Sequence, residues 1–203
     1  MPKSFRLILG TLALTALAMA QVQDTPYQVG YAANLTAGDS AVNLTNSGAL
    51  DGFDPTGDIC ANVYVFAEDQ QLIACCACPL TPNHLKTLSV TKDLISNTLT
   101  PGVPIGVTIA LLGSTTPVGG CNAATVDLVP GNKLTNGVVA WGTTVHAQPG
   151  GGFGTGDYEF KNATLSPGEL TKLTSYCGFI QADGSGFGIC GSCRQGAAGG
   201  SRK

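Results

Sequence analysis

The chain has 203 residues and is weakly acidic, with 10 basic and 13 acidic side chains and a net charge of −3. This balance argues against nucleic acid or an anionic membrane as the partner, because both attract basic surfaces. The hydrophobic fraction of 43% is sufficient for a buried core, and the length suits a single domain.

The N-terminus predicts a secretory signal peptide over residues 1–20. Lys3 and Arg6 precede an apolar run over residues 7–18, and residues 18–20 form the Ala-Met-Ala pattern of a cleavage site. The apolar run is shorter than the ~20 residues that span a bilayer, so we expect cleavage rather than anchoring. Without the leader the chain keeps 8 basic and 13 acidic side chains, a net charge of −5. No later segment predicts a transmembrane helix, so we expect a secreted, periplasmic or extracellular protein.

Short runs rich in Val, Ile, Thr and Tyr follow the leader, separated by Gly, Pro, Asn and Asp, which predicts antiparallel strands. The strands are predicted in YQVGYAANLT, AVNLTNSGAL, ICANVYVFAE, LIACCACPL, TLSV, GVPIGVTIALLGS, NGVVAWGTTVHAQ and YEFKNATL. ICANVYVFAE alternates strictly and is followed by the polar EDQQ, which predicts a hairpin with LIACCACPL. The glycine-rich PGGGFGTGDYEF predicts a connection that leads into the last strand.

The period changes at SPGELTKLTSYCGFI, which predicts a helix over about residues 167–180. Ser166 suits the N-cap, Pro167 the first helical position and Glu169 the third. The apolar stripe that should pack on the sheet consists of Leu170, Leu173, Cys177 and Ile180. We therefore predict a mainly β protein: a single antiparallel β-sandwich-like domain over residues 21–193 with one C-terminal α-helix, stapled by disulfides. Residues 194–203 predict a disordered tail.

Eight cysteines follow the leader, and an even number in an exported chain predicts disulfides with no free thiol. They are Cys60, Cys75, Cys76, Cys78, Cys121, Cys177, Cys190 and Cys193. Within ACCACPL, strand alternation places Cys76 and Cys78 on one face and Cys75 on the other. The expected bonds are Cys60 to Cys76 or Cys78, Cys177 to Cys190 or Cys193, and Cys121 to one of the remaining thiols. The expectation for Cys60 follows from the hairpin, and that for Cys177 follows from the return of the chain after the helix.

Two C-x-x-C pairs, Cys75 with Cys78 and Cys190 with Cys193, offer an alternative. Four thiolates in this spacing are typical of a tetrahedral Zn²⁺ site or an iron-sulfur cluster. Disulfides are favoured because the chain is predicted to be exported and the first pair lies in a strand. A thioredoxin-like redox role would need a helix directly after the pair, and no such pattern follows either one.

The segment DGFDPTGD places Asp51, Asp54 and Asp58 close together in sequence. Carboxylates and backbone carbonyls in such a loop are the ligands that Ca²⁺ prefers. The segment does not match the EF-hand loop, and Asp, Gly and Pro are ordinary turn residues. A turn is the favoured interpretation, with calcium as the alternative.

No recognisable catalytic set is present. The chain has two histidines, His84 and His146, and neither lies in a nucleophile or metal motif, so both are expected at the surface or partly packed. Trp141 occupies a strand position and is expected in the core. We therefore predict no catalytic residue and no cofactor.

The segments GDICANVYVF, CCACPLTPN, YCGFI and GSGFGICGSC together resemble a family of secreted bacterial cysteine-containing proteins that has no assigned activity. The resemblance extends over most of the chain after the leader and implies export, without implying any site residue. We expect a secreted, non-enzymatic extracellular or cell-surface protein that binds a partner or has a structural role, with an unknown ligand. The alternatives are a metal-binding protein that uses the C-x-x-C cysteines and an enzyme whose site is assembled from residues distant in sequence.

Overall fold

The computed structural model describes residues 24–193, so the predicted leader over residues 1–20 and the predicted tail over residues 194–203 lie outside the described residues. Within residues 24–193 the chain forms nine strands and one α-helix. They are β1 (Tyr27–Ala32), β2 (Ser40–Asn46), β3 (Ile59–Phe66), β4 (Leu72–Leu80), β5 (Leu85–Ser89), β6 (Val107–Thr115), β7 (Val138–Ala147), β8 (Phe153–Glu159), β9 (Lys161–Asn162) and α1 (Pro167–Asp183). A π-helical turn (Val90–Leu94) follows β5, and a 3₁₀ turn (Ala123–Thr125) lies between β6 and β7.

The strands form two antiparallel sheets. The five-stranded sheet has the order β4-β3-β6-β1-β9, and the four-stranded sheet has the order β5-β2-β7-β8. The four-stranded sheet packs on one face of the five-stranded sheet, and α1 packs on the other. The predicted class, an antiparallel β-sandwich-like fold with a C-terminal helix, is confirmed.

The central core lies between the two sheets. It includes Val42 and Leu44 from β2, which meet Val63 of β3 and Ile109 of β6, all fully buried. Successive side chains of a strand point to opposite faces, so every second residue enters this core. The burial of β2 accordingly alternates along its whole length.

A second core lies between the five-stranded sheet and α1. Tyr64 and Leu112 from the sheet contact the helix stripe of Leu173, Cys177 and Ile180. The sheet is therefore covered on both faces, and all eight residues of β3 are buried. This explains why both alternating sets of ICANVYVF are largely apolar.

The helix begins where the sequence predicts. The Ser166 side chain accepts a hydrogen bond from the Glu169 backbone N–H at 3.1 Å, which satisfies one of the free donors of the first turn. The helix continues past the predicted end at residue 180 as far as Asp183. It stops at Gly184, whose φ of 68° is the left-handed conformation that ends many helices.

Two local predictions are wrong. Strand β8 begins at Phe153, inside the glycine-rich stretch predicted as a connection, because the free edge of β7 supplies hydrogen-bond partners along its length. Trp141 is not in the core: Val138, Ala140 and Gly142 are the buried positions of β7, and Trp141, between the last two, is half-buried on the outward side.

No helix within the described residues is long and apolar enough to cross a membrane.

Candidate functional site

All eight cysteines are paired, so the predicted disulfides are present and none of the described cysteines is free. The pairs are Cys60–Cys121, Cys75–Cys177, Cys76–Cys190 and Cys78–Cys193, with Cα–Cα distances from 4.7 to 5.8 Å. The bonds expected for Cys60 and Cys177 are therefore wrong.

The alternation predicted for ACCACPL explains the actual pairing. Cys75 lies on the outer face of β4 and bonds Cys177 of α1, while Cys76 and Cys78 lie on the inner face. Cys60 is opposite Pro79, close to where the hairpin predicts it. Its side chain shares the face of Cys75, so the inner-face cysteines cannot reach it, and it bonds Cys121 instead.

The segment after α1 is bound along the free edge of β4. The Cys75 backbone N–H donates to the Gly188 carbonyl at 2.8 Å, and two disulfides join the segment to the inner face of β4. The Gly191 N–H donates to the Asp93 carbonyl at 2.7 Å, and the Ser192 hydroxyl bonds the Asp93 carboxylate. The segment thus covers an edge strand that would otherwise be open to pairing.

This pairing is incompatible with a four-thiolate metal site. Cys75 and Cys78 lie on opposite faces of β4, and Cys190 and Cys193 bond different residues of that strand. Within residues 24–193, no group of three or more His, Cys, Asp or Glu side chains is arranged to hold a metal ion.

The acidic loop between β2 and β3 forms a turn. The Asp51 carboxylate accepts a hydrogen bond from the Phe53 N–H at 3.1 Å. Burial and the neighbouring Asp54 carboxyl raise the pKa of Asp58. The loop does not bring all three carboxylates together around a common point.

The two histidines are exposed, as expected. His84 lies in the turn between β4 and β5, where its backbone N–H donates to the Thr81 carbonyl at 3.0 Å. His146 lies near the end of β7, and β2 separates β7 from β5, the strand that follows His84.

A groove lies where the chain passes from β8 of one sheet to β9 of the other. We call it the aromatic groove, and its volume is about 550 Å³. It is lined by Val29, Gly30, Tyr31, Thr108, Tyr158, Glu159 and Lys161. Ligand sites are commonly concave, of about 300–1,000 Å³, and combine apolar walls with a few polar groups.

Three aromatic rings form a stack beside the aromatic groove. The Tyr31 and Tyr158 ring centroids lie 4.9 Å apart with an interplanar angle of 22°, and those of Tyr158 and Phe160 lie 6.1 Å apart at 19°. Two glycines make room for the inner rings. A Cβ at Gly30 would collide with the Phe160 ring, and a Cβ at Gly142 would collide with the Tyr158 ring.

The aromatic groove is close to neutral. Burial, with a smaller contribution from Tyr31, raises the pKa of Tyr158 to about 12, so its hydroxyl stays protonated at ordinary pH. The Lys161 ammonium and the Glu159 carboxylate lie 3.8 Å apart at the rim, and both are exposed. Their opposite charges balance.

A second, smaller hollow of about 270 Å³ adjoins the aromatic groove and shares Thr108 with it. The Lys172 ammonium lies 4.8 Å from the centre of the Phe66 ring and 3.8 Å from the Glu169 carboxylate. Burial, and then the charge of Glu169, raise the pKa of Tyr27 at the wall of this hollow.

No motif in the sequence predicts the aromatic groove. Its rings come from β1, β8 and the β8–β9 junction, which are far apart in sequence. One local signal was available: Tyr158 and Phe160 are two residues apart, which places both side chains on one face of an extended chain.

No protein-family model, curated protein sequence or solved structure matches the chain.

Proposed function

We propose that the chain is a secreted, non-enzymatic binding protein that holds its ligand in the aromatic groove. The observation that carries the proposal is the exposed Tyr31 ring, stacked on Tyr158 at the mouth of a concave site whose two charged groups balance. A partly exposed ring in such a site offers apolar area to a ligand, since burying aromatic surface stabilises a complex.

The scaffold supports binding because the rings beneath Tyr31 are closely packed. Phe160 and Tyr158 fill the spaces left by Gly30 and Gly142, so the rings beneath Tyr31 are held by both sheets. A preorganised site loses less conformational entropy on binding than a flexible one does. The packed surface on which Tyr31 stacks is therefore formed before any ligand arrives.

The proposed location follows from the disulfides and the leader. Four disulfides fit an oxidising compartment, because the cytosol keeps most thiols reduced. The leader pattern and the resemblance to secreted bacterial proteins also favour export.

Export can be tested by expressing the full chain in a bacterial host. The exported protein should have the intact mass of a chain that starts at residue 21. A cytoplasmic, unprocessed product with free thiols would contradict export.

Binding in the aromatic groove can be tested without knowing the ligand. The processed, disulfide-intact chain, labelled with ¹⁵N, is titrated with a library of neutral, cationic and anionic small solutes. Amide shifts should cluster at Val29, Tyr31, Thr108 and Lys161 for at least one chemical class. Shifts scattered over the surface, or absent for every class, would contradict a binding site here.

A further inference from the structure

We propose that the aromatic groove binds a neutral oligosaccharide, with one pyranose ring stacked on Tyr31. This inference depends on the proposed binding function and names its ligand class. It is carried by the exposed part of one aromatic ring, the balanced polar rim and the length of the trough.

The first step is the presentation of the Tyr31 ring. Tyr158 covers one of its faces at a centroid distance of 4.9 Å, yet Tyr31 remains 58% exposed. The part of the ring that Tyr158 does not cover is therefore open to solvent, at a position that lines the groove. A pyranose ring has one face made largely of C–H groups, and this face packs flat on an aromatic ring and loses apolar contact with water.

The second step is the polar rim. Glu159 accepts hydrogen bonds and Lys161 donates them, and Thr108 lies on the same groove. Sugar hydroxyls are both donors and acceptors, so one ligand can satisfy both charged groups. An anionic ligand would meet Glu159, and a cationic ligand would meet Lys161, so neither is favoured over a neutral one.

The third step is the extent of the site. The aromatic groove and the smaller hollow share Thr108, so together they form a trough along the outer face of the five-stranded sheet. In the second hollow the Phe66 ring is buried beneath the Lys172 ammonium, and the partly exposed Lys172 and Glu169 again place a donor and an acceptor beside each other. A ligand of several linked sugar units, rather than a monosaccharide, fits an open trough of this kind.

The test uses neutral hexasaccharides built from glucose, N-acetylglucosamine, mannose or xylose. Each is titrated calorimetrically into the processed, disulfide-intact chain, and amide shifts locate the binding. At least one should bind at the aromatic groove. Tyr31→Ala should weaken that binding by about tenfold or more, while Tyr31→Phe should keep it within about threefold because the ring face is retained.

The matched control is Tyr176→Ala on α1, since Tyr176 is 49% exposed and does not line the groove. It should leave the affinity unchanged, and the amide spectra of all variants establish that they fold. The saccharide assignment would be overturned if none of the hexasaccharides binds. Binding that Tyr31→Ala leaves intact would overturn it as well. Selective groove binding of a trimethylammonium solute or a tryptophan-containing peptide would also overturn it, yet would leave the proposed binding function standing. Only the loss of all groove binding would remove both.

Discussion

The two sheets of this protein have similar strands but are stabilised differently. The five-stranded sheet is covered on both faces, and every disulfide of the chain has at least one cysteine in its β3 or β4. The four-stranded sheet has no cysteine in any of its strands, and its outward side chains are exposed or half-buried. One sheet is thus held by burial and covalent bonds, and the other by one packed face.

The difference explains where a binding site can form. In the five-stranded sheet, α1 and the 3₁₀ turn cover the outer face over β3 and β4, and the C-terminal segment covers the edge of β4, but the end near Tyr31 stays open. The exposed strand β8 approaches this open end from the other sheet. The aromatic groove therefore lies where the strongly stabilised sheet loses its cover.

The largest expected effect tests the covalent part of the comparison. Replacing Cys75 and Cys177 together by Ala removes the bond between β4 and α1 and should lower the free energy of unfolding by about 2–5 kcal/mol. Urea unfolding monitored by circular dichroism measures it. The control is Thr87→Ala in the four-stranded sheet, which removes an exposed 2.7 Å hydrogen bond to Asn43 and should cost only about 0.2–1 kcal/mol. Equal losses would contradict the distinction between the sheets.

The second prediction concerns buried tyrosine hydroxyls. Tyr64 donates to the Ala123 carbonyl at 2.6 Å beneath α1, so Tyr64→Phe should cost about 1–3 kcal/mol by leaving a buried acceptor unpaired. The buried Tyr158 hydroxyl has no hydrogen-bond partner among the described residues, so Tyr158→Phe should change stability by no more than about 0.5 kcal/mol or stabilise the fold. The same urea measurement compares both, and a larger loss for Tyr158→Phe would refute the assignment of these two hydroxyls.

The third prediction is a loss of stability in alkali. Burial raises the pKa of Tyr64 and raises that of Tyr158 to about 12. The folded protein therefore keeps two protons that the unfolded chain releases above about pH 10, the ordinary pKa of tyrosine. These two hydroxyls do not lower the free energy of unfolding below about pH 10, and they should lower it as the pH rises from about 10 towards 12. Thermal midpoints between pH 9 and 12 measure it. Tyr158→Phe should flatten part of this fall, and an identical slope in the variant would count against a raised pKa for Tyr158.

The smallest effect is expected in acid and belongs to the four-stranded sheet. Burial alone would raise the pKa of Asp39, but hydrogen bonds from Ser89, Thr91 and Ser40 outweigh it and lower the pKa. The contribution of this carboxylate is present above its ordinary value of about 4 and is lost as the pH falls below it. Thermal midpoints between pH 2 and 5 should therefore drop less in Asp39→Asn than in the parent chain. A variant with the same acid slope would show that the carboxylate is not stabilised in the folded state.

Several features of the fold could be predicted from the sequence because they depend on neighbouring residues. Strict alternation in ICANVYVF identified β3 and its two faces, and the same rule applied to ACCACPL placed Cys75 on the face opposite to Cys76 and Cys78. Ser166 and Glu169 located the start of α1, since capping involves contacts within one turn. The even number of cysteines after a leader predicted disulfides without predicting their partners.

Other features depended on contacts between segments far apart in the chain. Cys60 bonds Cys121, 61 residues away, because the outer face of the five-stranded sheet brings them together, and no local pattern encodes that distance. Strand β8 forms in a glycine-rich stretch because β7 offers an unpaired edge, so its hydrogen bonds outweigh a weak strand propensity. The aromatic groove exists only where β1, β8 and Phe160 meet. A ring stack of this kind requires the packing of two sheets, which local periodicity does not specify.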